Sequence, residues 1–258
     1  MRLLRILKND CQRAFGSKAF LLCTLAVPVF ILVTVGQEIT FLENNSLLFT
    51  LDDVLYFKGL GILLVQIIPL FPFSLAFARD WQDGATRYSI IRSGPTPYIL
   101  SKFLVSMISA FSSLLLGIML SVPLLKAFFP QLSYIPEYME FDIFYNQLVM
   151  GGHPFLGYLS YSVHYALAAC ICAACAVWFS TYVPNPFAVI AAPMAIFFFI
   201  GRFTFLITIP RIIDPDFWLL AAYTGNYPFL HRIGVVVVLC GLMCFGTIRQ
   251  MKRRVLYG

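Results

Sequence analysis

Charge is what this chain has least of. Of its 258 residues only 12% are Asp, Glu, Lys or Arg, whereas 60% are hydrophobic, and the mean hydropathy is +0.84. Soluble domains average roughly 45–50% apolar and about 25% charged residues. No globular fold of this size hides so much apolar surface, so lipid is implied as the solvent. A membrane crossing takes roughly 20 residues, and the length admits six crossings with modest loops. It leaves no room for a separate soluble catalytic domain.

Catalytic signatures are missing too. No lysine is followed by Ser or Thr, which excludes a phosphate-cradling G-x-x-x-x-G-K-[ST] loop. There is no His-Glu-x-x-His helix and no G-x-S-x-G elbow, and His153, His164 and His231 have no acidic neighbour at zinc-ligand spacing. None of the long apolar runs holds Asp or Glu, so paired carboxylates at membrane depth are excluded. An intramembrane enzyme is correspondingly disfavoured, and the chain brings no energy source of its own. Cysteine is present, but Cys23, Cys170, Cys172, Cys175, Cys240 and Cys244 fall inside apolar runs and Cys11 in the basic N-terminal segment. None lies in a predicted outer loop where an oxidising compartment could pair it. They read as small packing residues rather than metal ligands.

What the chain does have is a series of hydrophobic runs. They predict an all-α membrane protein with spans at about 19–36, 59–78, 103–125, 158–180, 187–210 and 231–248. Residues 1–18 put Leu3, Leu4, Leu7, Cys11, Ala14 and Phe15 on one helical face and cations on the other, as in an interfacial helix lying along anionic headgroups. No small-x-small cleavage site follows, so the segment reads as retained. Pro69 and Pro72 interrupt the second span and predict a kink. In the third, Ser109, Ser113, Gly117 and Ser121 stand four apart, a small-residue stripe that lets another helix approach. Residues 37–58 and 126–157, acidic and aromatic, suit outer loops. The segment 211–227 contains an apolar patch too short to span, which predicts a re-entrant or interfacial piece before the last span.

Orientation follows from the cations. Thirteen of the eighteen Lys and Arg lie in the N-terminal segment, between spans 2 and 3, or after span 6; the rest are Lys58, Lys126, Arg202, Arg211 and Arg232. This asymmetry predicts both termini on the cytoplasmic side. Two ionisable residues fall well inside spans, apart from His231 and Arg232 at the start of the sixth. His164 lies about two turns into the fourth, next to Tyr161, and Arg202 is some fifteen residues into the fifth, roughly 22 Å along it. Both belong to the outer half, where either Arg202 snorkels to the headgroups and His164 hydrogen-bonds within the bundle, or the two form a polar route for a substrate.

Between spans 2 and 3 lies a polar island, Asp80-Trp81-Gln82-Asp83-Gly84-Ala85-Thr86-Arg87, followed by Ile90-Ile91-Arg92-Ser93-Gly94 and by Tyr98-Ile99-Leu100-Ser101-Lys102. This stretch resembles the cytoplasmic loop of type 2 ATP-binding-cassette exporter permeases, with Asp83 where Glu is usual. The six-span layout, the amphipathic start and the turn at 180–185 are similar as well. The resemblance implies a transmembrane subunit, in a prokaryotic plasma membrane, that exports a hydrophobic or amphipathic compound such as a drug, peptide or lipid. Two such subunits, identical or related, would bind two separate ATPase subunits, which hold the ATP and magnesium. This chain would bind no cofactor, metal or nucleic acid. Asp80, Asp83, Gly84, Arg87 and Arg92 would form the coupling element that docks on the ATPase. Gly84 permits a sharp turn, and the two arginines offer carboxylate-pairing forks. The same cations would serve a plain topology anchor, and a non-transporting membrane anchor for an ATPase remains the competing function.

Overall fold

The computed structural model describes residues 2–37, 46–57, 66–133, 144–206 and 228–257. Among them the elements are helices: α1 (Arg2–Phe15), α2 (Lys18–Gly36), α3 (Leu47–Asp52), α4 (Ala76–Gln82), α5 (Ala85–Ser93), α6 (Pro95–Phe128), α7 (Phe144–Met150), α8 (Pro154–Ser180), α9 (Pro186–Leu206) and α10 (Pro228–Tyr257). Four stretches are long and apolar enough to cross a membrane: Lys18–Gly36, Pro95–Phe128, Pro154–Ser180 and Leu230–Arg254. The expected fifth span lies on α9, in which Pro186–Ile196 forms a shorter apolar helix. Residues 59–65 of the second expected span, 207–210 of the fifth, and the predicted re-entrant segment 211–227 fall outside the described part.

The helices are sorted by which face is apolar. On α2, Leu21, Leu22, Leu25, Val29 and Val33 point away from the bundle while Thr24, Val27, Ile31 and Val35 are buried. On α10 the inward row includes Arg232, Val236, Cys240, Thr247 and Met251, and the outward face carries Val237, Val238, Leu242 and Phe245. Large apolar residues outside and polar ones inside is the arrangement lipid favours and water penalises. The exception is α8, buried along nearly its whole length by α6, α10, α7 and α9. Its run of Ala and Cys from Ala168 to Val177 is what lets neighbours close in on every side.

The cysteines belong to that packing. All seven are free thiols, and Cys170 Sγ lies 3.8 Å from the Met107 carbonyl while Cys240 Sγ donates to the Cys170 carbonyl at 3.9 Å. The serine stripe behaves alike. Ser109, Ser113 and Ser121 donate to carbonyls of their own helix, at 3.1, 3.1 and 2.6 Å. Their polarity is thereby spent locally, leaving a low surface on which α2 rests. At Gly117 a Cβ would stand 2.7 Å from Val27 Cβ and 3.1 Å from the Thr24 carbonyl. Gly117→Val is therefore expected to cost about 1–3 kcal/mol, and adding Val27→Ala to recover part of it, as read by denaturant unfolding in detergent.

Boundaries differ from the expected ones for local reasons. The prolines do more than kink the second span. Ile68–Leu70 is a single 3-10 turn, and residues 71–75 form turns before the helix resumes as α4. Two missing N–H donors within four residues break the ladder outright. The third span starts at Pro95, eight residues earlier than hydropathy suggests, since Gly94 (φ 87°) stops α5 and a proline suits the first helical turn. Its 34 residues reach roughly 50 Å, longer than a hydrocarbon core of about 30 Å. The last span likewise continues as helix through its terminal cations to Tyr257.

The stretch expected as an outer loop is only partly a loop. Residues 47–57 form α3 and a π-helical turn, with Leu47, Leu48, Leu51, Val54 and Leu55 buried. Ser46 caps α3 through the Phe49 amide at 3.1 Å, and the Leu47 amide reaches the Ser133 carbonyl at 2.8 Å. Hydropathy windows tuned to 20-residue spans pass over so short an apolar helix.

Candidate functional site

Two polar clusters lie at opposite ends of the bundle. The chain places the polar island, the turn at 180–185 and both terminal helices at one end. Arg13 of α1 pairs with Asp80 at 3.4 Å, and Arg254 of α10 stacks over Trp81 at 5.1 Å while donating to the Tyr182 carbonyl at 2.7 Å. His164 is sixteen residues back along α8 from Ser180, roughly 24 Å away.

At the first end the predicted loop folds as α4, a sharp turn and the short helix α5. Gly84 adopts φ 72° and ends one helix as the other begins. α5 sits on a small apolar seat: Ile90 packs against the buried cluster of Phe77, Tyr98, Ile99 and Met251, which Trp81 and Ile248 also border. The residues at i, i+1, i+4 and i+5 of its other face, Arg87, Tyr88, Ile91 and Arg92, point to the outside. Tyr88 is 74% and Ile91 83% exposed, a high price for apolar groups at a membrane rim with nothing over them. Asp83, at the C-cap of α4, is exposed as well.

Asp80 is different from its neighbours: it faces inward. Lys102 Nζ lies 2.8 Å from Asp80 Oδ2 and 3.0 Å from Asp10 Oδ1 of α1. Tyr98 donates its hydroxyl to Asp80 at 3.2 Å, and Ser101 donates to Asp10 at 2.7 Å. Lys102 is 1% exposed and also lies 4.9 Å from the Phe73 ring centre. Burial alone would push the Asp80 carboxyl up; the charges of Lys102 and Arg13 outweigh it and hold it below the usual carboxylate range. The network thus clamps α1, α4 and the foot of α6 into one piece. Asp80, Gly84, Arg87 and Arg92 meet in one place, but Asp80 and Lys102 are the frame and the others the outward face. Asp10 escaped the sequence reading because it sits among the cations of α1. The signal was available: a lone acid at the border of the apolar face, between Leu7 and Ala14.

The second cluster gathers around α8. Tyr161 and Tyr165 both donate to Asp52 Oδ1 of α3, at 3.0 and 3.1 Å. Tyr145 of α7 lies edge-on to Tyr161 (5.7 Å between ring centres) and to His164 (5.8 Å). The guanidinium of Arg232, 1% exposed, is within electrostatic reach of Tyr145 and Tyr165. Burial pushes the Asp52 carboxyl up, and the two tyrosine hydrogen bonds pull it back in part. Tyr161 and His164 both lie against the Tyr145 ring. Arg202 lies on α9, its side chain outside the described part. Sequence reasoning missed Asp52, Tyr145, Tyr165 and Arg232. Asp52 and Tyr145 were assigned to outer loops, and Arg232 was counted as a cation near the outer surface; it is buried in the bundle.

Comparison with models of protein families, with curated proteins and with solved structures finds no match for this chain.

Proposed function

We propose that this chain is the transmembrane subunit of an ATP-binding-cassette exporter. The observation that carries the reading is the exposed face of α5: two arginines flank two bare apolar side chains on a short helix seated through Ile90 on the apolar cluster of α4, α6 and α10. Such a face suits an acidic-rimmed apolar groove on a partner, with Ile91 and Tyr88 as anchors and Arg87 and Arg92 setting the register. Movement of that partner would pass through the Asp80–Lys102–Asp10 clamp to α6 and α1 together. In this reading six spans are completed by α9 and by a second, broken segment ending in α4, with both termini cytoplasmic. A second copy or a related subunit completes the transporter.

The cluster of Asp52, Tyr161, Tyr165 and His164 then belongs to the outer half, where a hydrophobic or amphipathic substrate would leave. Tyr161, Tyr165 and His164 are buried there, and Asp52 is half-buried beside them. Tyr161→Phe and His164→Leu are expected to change export, and the stimulation of ATP turnover by substrate, in the reconstituted transporter. Wild-type behaviour of both variants with every transported compound would remove this cluster from the route. A transport subunit is separated from a bare ATPase anchor by the same assay, since an anchor gives no substrate-dependent turnover.

A further inference from the structure

Beside the clamp, between α1 and α5, is a cavity of about 540 Å³ that shares only Arg92 with the outward face of α5. Its volume falls within the roughly 300–1,000 Å³ common for small-ligand sites. Four cations and two carboxylates line it: Arg5, Arg13, Arg92, Lys102, Asp10 and Asp80. The charges are not spread evenly. Lys102 and Arg13 lie against Asp10 and Asp80 within 2.8–3.9 Å, which balances them. Arg5 and Arg92 make no ion pair among the described residues, so the surplus of two positive charges lies with them, one on each wall. Asn9 of α1 and Ser89 of α5 add hydrogen-bonding side chains between the cations. On the exposed side of α1, Leu4 is 70% exposed, as expected of a helix that lies in lipid at this level.

We infer that this cavity binds the headgroup of an anionic phospholipid, its phosphodiester held between Arg5 of α1 and Arg92 of α5. Guanidinium forks suit a phosphate better than a point charge does; a phosphodiester offsets one of the two surplus charges, and its polar alcohol meets the hydroxyl-bearing walls. The lipid would tie the interfacial helix to the coupling helix from outside, as Asp10 and Lys102 do from inside. The inference rests on the membrane placement of the helices and not on any ATPase partner, so it stands or falls separately from the proposed function.

The test uses the full chain in non-ionic detergent, titrated with dioctanoyl phosphatidylglycerol, dioctanoyl phosphatidylcholine or inorganic phosphate. Bound lipid is read by native mass spectrometry and the thermal midpoint is followed in parallel. Phosphatidylglycerol is expected to bind more tightly than phosphatidylcholine and to raise the midpoint. Arg5→Ala and Arg92→Ala should each weaken it by roughly fivefold, the worth of one cation facing anionic lipid. Arg5→Lys should keep part of the preference. Arg249→Ala with Arg253→Ala, which removes two cations at the end of α10, should leave it intact. Equal affinity for the two lipids would overturn the inference, as would undiminished phosphatidylglycerol binding in the Arg5 and Arg92 variants. Stabilisation by inorganic phosphate equal to that by the lipid would overturn the lipid assignment.

Discussion

Replacing Lys102 by leucine is expected to cost about 3–5 kcal/mol of stability, the loss seen when one partner of a buried ion cluster is removed and the other is left behind. Two carboxylates depend on this one ammonium. Asp10 and Asp80 have side chains 6% and 12% exposed, too little water to solvate them once the cation is gone. Denaturant unfolding in detergent measures the loss directly. The triple variant Asp10→Asn, Asp80→Asn, Lys102→Met should recover much of it, because an uncharged cluster of similar volume carries no desolvation penalty. The acid limb of the stability profile gives a second readout. The clamp holds the Asp80 carboxyl below its ordinary range, so the unfolded chain binds that proton more readily than the native one. The stabilisation is present above the ordinary carboxylate pKa of ~3.9 and is lost as pH falls through the lowered native value. Lys102→Leu should flatten that limb. A variant as stable as wild type, with an unchanged acid limb, would mean that the clamp is not holding the helices together.

The second large effect is expected on α5. Ile91→Asp should weaken ATPase binding by roughly 30-fold or more, the equivalent of about 2 kcal/mol for a central apolar anchor. Arg87→Glu should add a charge clash and act mainly on the association rate. Neither residue touches the bundle, so insertion and thermal stability in detergent should match wild type. Gly84→Val acts differently: at φ 72° a β-branched residue costs about 1–2 kcal/mol or more. The turn would shift and the outward face of α5 would be misaimed. Binding of the isolated ATPase to immobilised variants, by surface plasmon resonance, separates the three. Unchanged binding in Ile91→Asp and Arg87→Glu would reduce the island to a topology anchor.

The long helices were legible because their signal is additive. Eighteen or more apolar residues in a row leave few alternatives, and α2, α6, α8 and α10 follow the hydropathy runs closely. The short helices behave otherwise. At six residues α3 is far shorter than any useful window, and only its packing against α6 and the Asp52 hydrogen bonds to α8 give it meaning. At the polar island Gly84 signals a sharp turn, yet which residues of α5 face out depends on where Ile90 finds its apolar seat. Ion pairs are the least legible of all. Asp10 and Lys102 are 92 positions apart, and Asp52 and Tyr161 109 apart; no local pattern relates such residues. The sequence therefore pointed to the polar island as a surface, whereas half of it is an internal clamp.

The most direct test of the account is ATP turnover by a complex purified through a tag on this chain and reconstituted in lipid. The account predicts vanadate-sensitive hydrolysis by a copurified ATPase, stimulated by exported compounds. A photoreactive residue at position 91 should crosslink to that ATPase and to nothing within the bundle, and Arg87→Glu should abolish both signals. A well-folded, membrane-inserted chain that brings down no ATPase, and whose position 91 crosslinks only to lipid, would contradict it.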